Sequence, residues 1–167
     1  MIEDYLGYNE FTGELFWLKS TAHRVKVGDR AGYYGRYVTV SLLGKRYNGH
    51  DLCWFLHHRE FPKGQLDHKD QDTHNNRIGN LRDVTPKINA KNKPKRRDNT
   101  SGVTGISKDK ASGKWVVRIK NKEGKYENRG RYTSFDEAKR VRDQATYELG
   151  YHQNHGRELS RLPYRRI

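Results

Sequence analysis

The apolar residues of this chain come in short runs, most alternating in the strand period and separated by glycine-containing turns, a pattern that limits the fold to small sheets around small cores. Hydrophobic residues are only 32% of the 167 positions, too few for one large core and enough for two modest ones. Residues 1 to about 48 read as strands and turns. FTGELFWL reads as a hairpin with Thr12-Gly13 near its turn, and YGRYVTVSLLGKRYNGH alternates and turns at Leu43-Gly44-Lys45. HDLCWFLHHR, from His50 to Arg59, carries apolar Leu52, Phe55 and Leu56 at helical spacing and is closed by Pro62 and Gly64.

Further on, GVTGISKDK, GKWVVRIKN and YENRGRYT read as three strands. SFDEAKRVRDQATYELG follows as a helix, with Ser134 as N-cap, Glu137 completing a capping box and Gly150 at C′. Phe135, Ala138, Val141, Ala145 and Leu149 share its apolar face. Between the two regions, AKNKPKRRDNTS is polar, basic and interrupted by Pro94. It is the best linker candidate, either solvated or tracking phosphates. The expected organisation is α+β, with one domain over residues 1–92, a basic linker over 93–101, and a second domain over 102–167 that ends in a C-terminal tail.

Charge narrows the partners. Lys and Arg number 34 against 20 Asp and Glu, a formal net charge of +14. That excess draws polyanions. An anionic membrane is the weaker rival, since no amphipathic basic helix is evident. The lone Cys53, inside LCWFL, excludes an internal disulfide framework and a Cys-rich zinc site and reads as a buried small hydrophobe. MIEDYLGYNE lacks the layout of a signal peptide and no run reaches transmembrane length, so a cytoplasmic protein is expected.

The stretch LDHKDQDTHNNRIGNLRDVTPKINAKN, Leu66 to Asn92, holds the chemistry. Asp67 and His68 are adjacent, Asn80 lies twelve residues after His68, and Asn89 nine residues further. Hydrolysis of a phosphodiester needs a base for the attacking water and a cation for the charge growing on the leaving oxygen. A histidine near its ordinary pKa suits the first task, and a hard divalent ion, Mg²⁺ or Mn²⁺, suits the second. Asp67 and Asn89 offer a carboxylate and an amide oxygen to such an ion, and Asn80 could orient the His68 ring. Neighbours on a strand face opposite ways, so one site for Asp67 and His68 requires the strand to twist or end there. Residues 81–92 are expected to supply a helix that carries Asn89 and starts near Thr85 or Pro86.

These residues, with NNR-I-x-NL-R-x-V-T between them, resemble the HNH nucleases of the ββα-metal fold, most of all the phage-type homing and nicking endonucleases. The likeness extends upstream through GYYGRYVTVSLLGKRYNGHDLCWFLHHREFP and covers roughly residues 1–92. It implies His68 as general base, Asp67 and Asn89 as metal ligands, Asn80 as the group orienting the base, and an intracellular setting in a bacterial or phage-infected cell. Asn75 and Asn76 match the NN pair of the intervening loop, with a structural turn role. His50, His57 and His58 read as packing or surface residues of the helix, with an approach of His50 to the site as the lesser alternative.

The segment from Gly105 to Gly156 resembles the AP2 DNA-binding domain, a three-stranded antiparallel sheet packed on one helix, through Gly105-Ile106, Gly113-Lys114-Trp115, Ile119-Lys120, Gly130 and the FDEA helix start. The likeness implies DNA contacts by Lys108, Lys110, Lys114, Arg118, Lys120, Arg129 and Arg131. The basic run adds Lys93, Lys95, Arg96 and Arg97. Trp115 reads at least as well as a core residue. Lys120 stands where Arg is usual, and Lys cannot make Arg's bidentate contact to guanine. The expected protein is a metal-dependent DNA endonuclease that nicks double-stranded DNA as a monomer, with a dimer or a second pass needed for a double-strand break. The rival from another class is a DNA-binding regulator that keeps the HNH scaffold without catalysis.

Overall fold

The computed structural model describes residues 1–158, which divide into two compact units, Met1–Asn89 and residues 90–158. The end of the expected C-terminal tail, residues 159–167, lies outside the described residues. The architecture is α+β, with several small antiparallel sheets and few helices.

In the first unit, β1 (Leu6–Asn9) and β2 (Glu14–Trp17) pair from Leu6↔Trp17 to Asn9↔Glu14. Their turn closes on Gly13, where φ is +78° and a Cβ would lie 2.7 Å from the Arg77 backbone nitrogen. Conformation and close approach both demand glycine there. β3 (Tyr33–Tyr34), β4 (Val38–Leu42) and β5 (Lys45–Asn48) form a sheet in that order. Leu43 and Gly44 join β4 to β5 with φ of +51° and +74°, the positive-φ pair that matches the twist of a two-residue hairpin.

Helix α1 (Gly49–His58) follows at once and stops at Arg59, whose φ is +63°. Gly49 is needed under it, since a Cβ would meet Val38 at 2.8 Å. Val40 and Leu42 of β4, Leu6, Leu15 and Trp17 of the hairpin, and Leu52 and Cys53 of α1 make one buried cluster, joined by Leu81. Burial also pushes the Cys53 thiol well above its ordinary pKa, so it stays protonated and apolar in character.

Strands β6 (Gln65–His68) and β7 (Leu81–Val84) pair antiparallel from Gln65↔Val84 to His68↔Leu81, and α2 (Pro86–Asn89) follows. The helix that carries Asn89 thus starts at Pro86, within the expected Thr85–Pro86 start. Residues 81–84 spend their backbone bonds on β6, and Pro86 disfavours helical geometry at Thr85 before it while fitting the first helical position itself.

In the second unit, β8 (Ile106–Lys108), β9 (Trp115–Lys120) and β10 (Tyr126–Tyr132) form a sheet with β9 in the middle, and α3 (Phe135–Glu148) packs on one face. Val117 and Ile106 meet Ala138, and Ile119 meets Ala145 and Leu149. The Ser134 side chain accepts from the Glu137 N–H at 3.4 Å, and Gly150 continues past the C-cap with φ +66°. Trp115 belongs to this core and meets Phe135 edge-on at 4.8 Å.

Residues 93–101 do not form a free linker. Gly156 N–H donates to Lys93 O at 2.8 Å, Lys95 N–H to Arg157 O at 2.9 Å, and Asn92 is buried. The run was legible as polar and basic, but two of its backbone groups, at Lys93 and Lys95, are tied to residues 156 and 157. Among the described residues no helix is long and apolar enough to cross a membrane.

Leu52, with no exposed surface, packs at the centre of the first unit. Leu52→Ala should cost about 2–5 kcal/mol, and Ser134→Ala in the second unit about 1 kcal/mol. Urea unfolding followed by circular dichroism measures both.

Candidate active site

Strand β6 ends at His68. The His68 carbonyl accepts from Gln71 N–H at 2.9 Å, Gln71 takes φ +68°, and Lys69 N–H reaches Asn80 O at 2.9 Å. The chain thus turns directly after His68.

The two side chains take opposite faces. His68 is 5% exposed, and its Nε2 lies 2.9 Å from Asn76 Oδ1, itself on a residue only 2% exposed. With the Asn76 amide oxygen as acceptor, Nε2 donates this bond. Asn76 is fixed in turn by Tyr8, whose hydroxyl donates to Asn76 O at 2.9 Å.

Asn80 does not orient the ring. Its Nδ2 donates to Asp70 Oδ1 at 2.9 Å and to Asn75 O at 2.8 Å, and its Oδ1 accepts from Asp70 N–H at 3.1 Å. Asn75 Nδ2 closes the set on Asp70 Oδ2 at 2.6 Å. Asn80 therefore staples the 69–80 loop, and Asn76 takes the role expected of Asn80. Sequence reasoning marked Asn76 only as a turn residue. The NN pair was the available signal, but nothing in it distinguishes the two asparagines.

His50, whose approach to the site was the lesser reading, stands beside it. Its ring meets His68 edge-on at 5.3 Å and Tyr37 at 5.6 Å, and its Nε2 is 3.4 Å from Asp51 Oδ1. Burial, opposed by Asp51 and aided by His68, lowers its pKa to about 4. His50 is thus neutral beside the candidate base. His74 anchors the loop, with Nε2 at 2.7 Å from Gly35 O.

On the opposite face, Asp67 is 7% exposed and takes Arg82 Nε at 2.9 Å and Nη2 at 2.6 Å, both on Oδ2. Gln65, two residues before Asp67, shares that face. Asn89 donates from Nδ2 to Gln65 Oε1 at 3.2 Å, which brings α2 to the Asp67 side of β6. With Nδ2 so engaged, Oδ1 is the Asn89 atom suited to a cation. One carboxylate and one amide oxygen on a common face fit a hard divalent ion that keeps several waters. Among the described residues there is no group of three or more His, Cys, Asp or Glu side chains placed to hold an ion.

In the second unit the expected cations separate. Arg118 and Lys120 alternate onto the face of β9 away from α3, with Lys120 Nζ 5.1 Å from the Tyr126 ring. Arg131 pairs across from Val116 on that same face and lies 3.4 Å from Asp109. Lys110 and Lys114 are exposed in the β8–β9 turn, and Lys93, Arg96 and Arg97 are exposed near the start of the unit. Three expected contacts are placed elsewhere. Lys108 pairs across from Trp115 on the α3 side, its Nζ 5.3 Å from that ring. Arg129 is the extra residue of a β-bulge and turns to Glu127 at 2.8 Å and Glu148 at 3.9 Å. The Lys95 side chain is 18% exposed and pairs with Glu158 at 3.4 Å.

A family model of HNH endonucleases matches residues 47–91, from β5 through α2, and so contains Asp67, His68, Asn80 and Asn89. The match supports a nuclease of the HNH class within the first unit. No curated protein and no solved structure matches the chain.

The depressed pKa of His50 has a consequence for stability. Between pH 6.5 and about 4 the unfolded chain binds a proton at this residue that the native chain does not. Stability is therefore expected to fall as pH drops from 6.5 towards 4, and that part of the loss should vanish in His50→Gln. Denaturation midpoints across this pH range, with an NMR titration of the His50 ring, check it.

Proposed function

We propose that the protein is a metal-dependent DNA endonuclease that nicks one strand and leaves 5′-phosphate and 3′-hydroxyl ends. The observation that carries this reading is the buried His68–Asn76 pair at the end of the strand that bears Asp67, inside the segment similar to HNH endonucleases. Asp67 and Asn89 would hold the ion, Mg²⁺ or Mn²⁺. When bound, a hard divalent ion neutralises charge on the leaving 3′ oxygen and on the phosphate.

The remaining work belongs to the chain. Asn76 holds the His68 ring in the tautomer whose Nδ1 can take a proton. His68 takes that proton from a water as its oxygen bonds to phosphorus, the bond to the 3′ oxygen breaks, and the 3′ oxygen gains its proton from solvent. His50 keeps a second positive charge from competing beside the base. A single such site per chain cuts one strand, which accords with a monomer acting as a nickase of the homing or free-standing kind.

The second unit reads as an AP2-like DNA-binding module whose open sheet face presents Arg118, Lys120 and Arg131, with Lys110 and Lys114 at its turn. Lys93, Arg96 and Arg97 add phosphate contacts. These side chains supply the salt-dependent part of binding and lengthen the contact with duplex DNA.

Supercoiled plasmid incubated with Mg²⁺ or Mn²⁺ tests the reading. Wild type should convert it to open circles, EDTA should stop the conversion, and His68→Ala should lose it while still shifting the DNA on a gel. Intact plasmid under all conditions with binding retained would favour the non-catalytic regulator. In the same binding assay, Arg118→Ala and Lys120→Ala should each reduce the slope of log affinity against log salt by about 1.

A further inference from the structure

We infer that Arg82 is a phosphate-positioning residue of the cleavage site, held in the free protein on the carboxylate that the metal takes. The inference rests on the reading of Asp67 as a metal ligand. Asp67 and Arg82 are direct cross-strand partners on β6 and β7, so their backbones are fixed opposite each other whatever the side chains do. The guanidinium does not grip the carboxylate in the parallel two-oxygen fork that gives such pairs their strength. Nε and Nη2 both converge on Oδ2, at 2.9 and 2.6 Å. Nη1 makes no hydrogen bond to any described residue. The Arg82 side chain keeps 26% of its surface exposed, while that of Asp67 keeps 8%. Arg82 thus sits between a buried anion and solvent, with donors to spare.

A divalent ion at Asp67 upsets this arrangement. A double charge added at Asp67 stands beside the Arg82 guanidinium at a partly buried spot, where like charges repel strongly. A guanidinium cannot relieve that by losing a proton. Two ways out remain. Arg82 can swing away, or an anion can arrive between it and the ion. The phosphodiester is the anion that the proposed reaction brings, and the planar donor fork of Arg82 matches its oxygens. The β6–β7 register keeps the released side chain within reach of a phosphate at Asp67. Metal and DNA should then bind cooperatively, and the free protein should hold metal weakly.

Mn²⁺ binding to the full chain without DNA, read by the electron paramagnetic resonance of free Mn²⁺, tests this in wild type, Arg82→Gln, Arg82→Met and Asp67→Asn. The two Arg82 variants should bind Mn²⁺ about tenfold more tightly than wild type. Asp67→Asn should abolish that binding. Mn²⁺ should also raise the melting temperature of the Arg82 variants more than that of wild type, and both variants should nick plasmid more slowly than wild type. Unchanged or weaker Mn²⁺ binding in the Arg82 variants, with wild type still nicking in a His68-dependent way, overturns the role of Arg82 and leaves the nuclease reading intact. A wild type that neither binds Mn²⁺ through Asp67 nor nicks through His68 overturns the nuclease reading and this inference with it. Should both Arg82 variants fail to fold, the Arg82 Nε–H resonance of wild type decides. Mg²⁺ with duplex DNA should move it from its ion-paired position, and an unmoved resonance overturns the inference.

Discussion

The three-way network of Asn80, Asp70 and Asn75 is the constraint on which the candidate site depends. β6 and β7 contribute only four paired residues each, and a hairpin that short is not stable by its own ladder. The long loop between them has backbone donors and acceptors that must be satisfied for the two strands to stay in register. Asn80 uses its amide nitrogen and oxygen together to bind both ends of the 70–75 turn, and Asp70 accepts from Asn75, Asn80 and the Asp72 N–H. The register that results sets Asp67 opposite Arg82 and His68 at the strand's end.

The loop is also tied to the first hairpin, which the family match does not cover. Tyr8 holds Asn76, and Gly13 lets the β1–β2 turn lie directly on the Asn76–Arg77 backbone. An alanine at Gly13 would press on that backbone and, through it, on the amide that fixes His68. Residues 1–46 thus hold the loop that carries Asn76. The Leu6, Leu15, Leu52 and Leu81 core transmits this constraint, because Leu81 is at once a core residue and the cross-strand partner of His68.

Much of this was legible in sequence wherever a local rule decides the outcome. Leu43-Gly44 demanded a tight hairpin, Ser134 and Glu137 marked the start of α3, and Gly150 its end, because turn and cap chemistry depend on neighbours in the chain. The strand at 81–84 was not legible, since LRDV becomes a strand only by pairing with β6, a contact that no local propensity encodes. The exchange of roles between Asn76 and Asn80 has the same cause. Both are asparagines near a turn, and only the folded loop decides which amide meets an imidazole. His50 belongs here too: helical spacing put it on α1, but its neighbour His68 comes from a strand far along the chain.

Charge teaches a similar lesson about the second unit. A surplus of cations says that a polyanion is welcome but not which cations meet it. Alternation along β9 divides the sheet, with Trp115, Val117 and Ile119 turned to α3 and Arg118 and Lys120 turned away. The bulge at Arg129 then moves one arginine off the open face into a pair with Glu127 and Glu148, where it ties β10 to α3 instead of reaching outward. The cations left on the open face of β9 are one arginine and one lysine. A guanidinium can match two acceptors of a guanine, whereas the Lys120 ammonium is a compact point charge beside Tyr126. On the proposed reading as a DNA-binding module, a face built this way suits tracking of the backbone more than reading of bases, and discrimination among sites would then come in larger part from the shape of the duplex and from the unit proposed to cleave it.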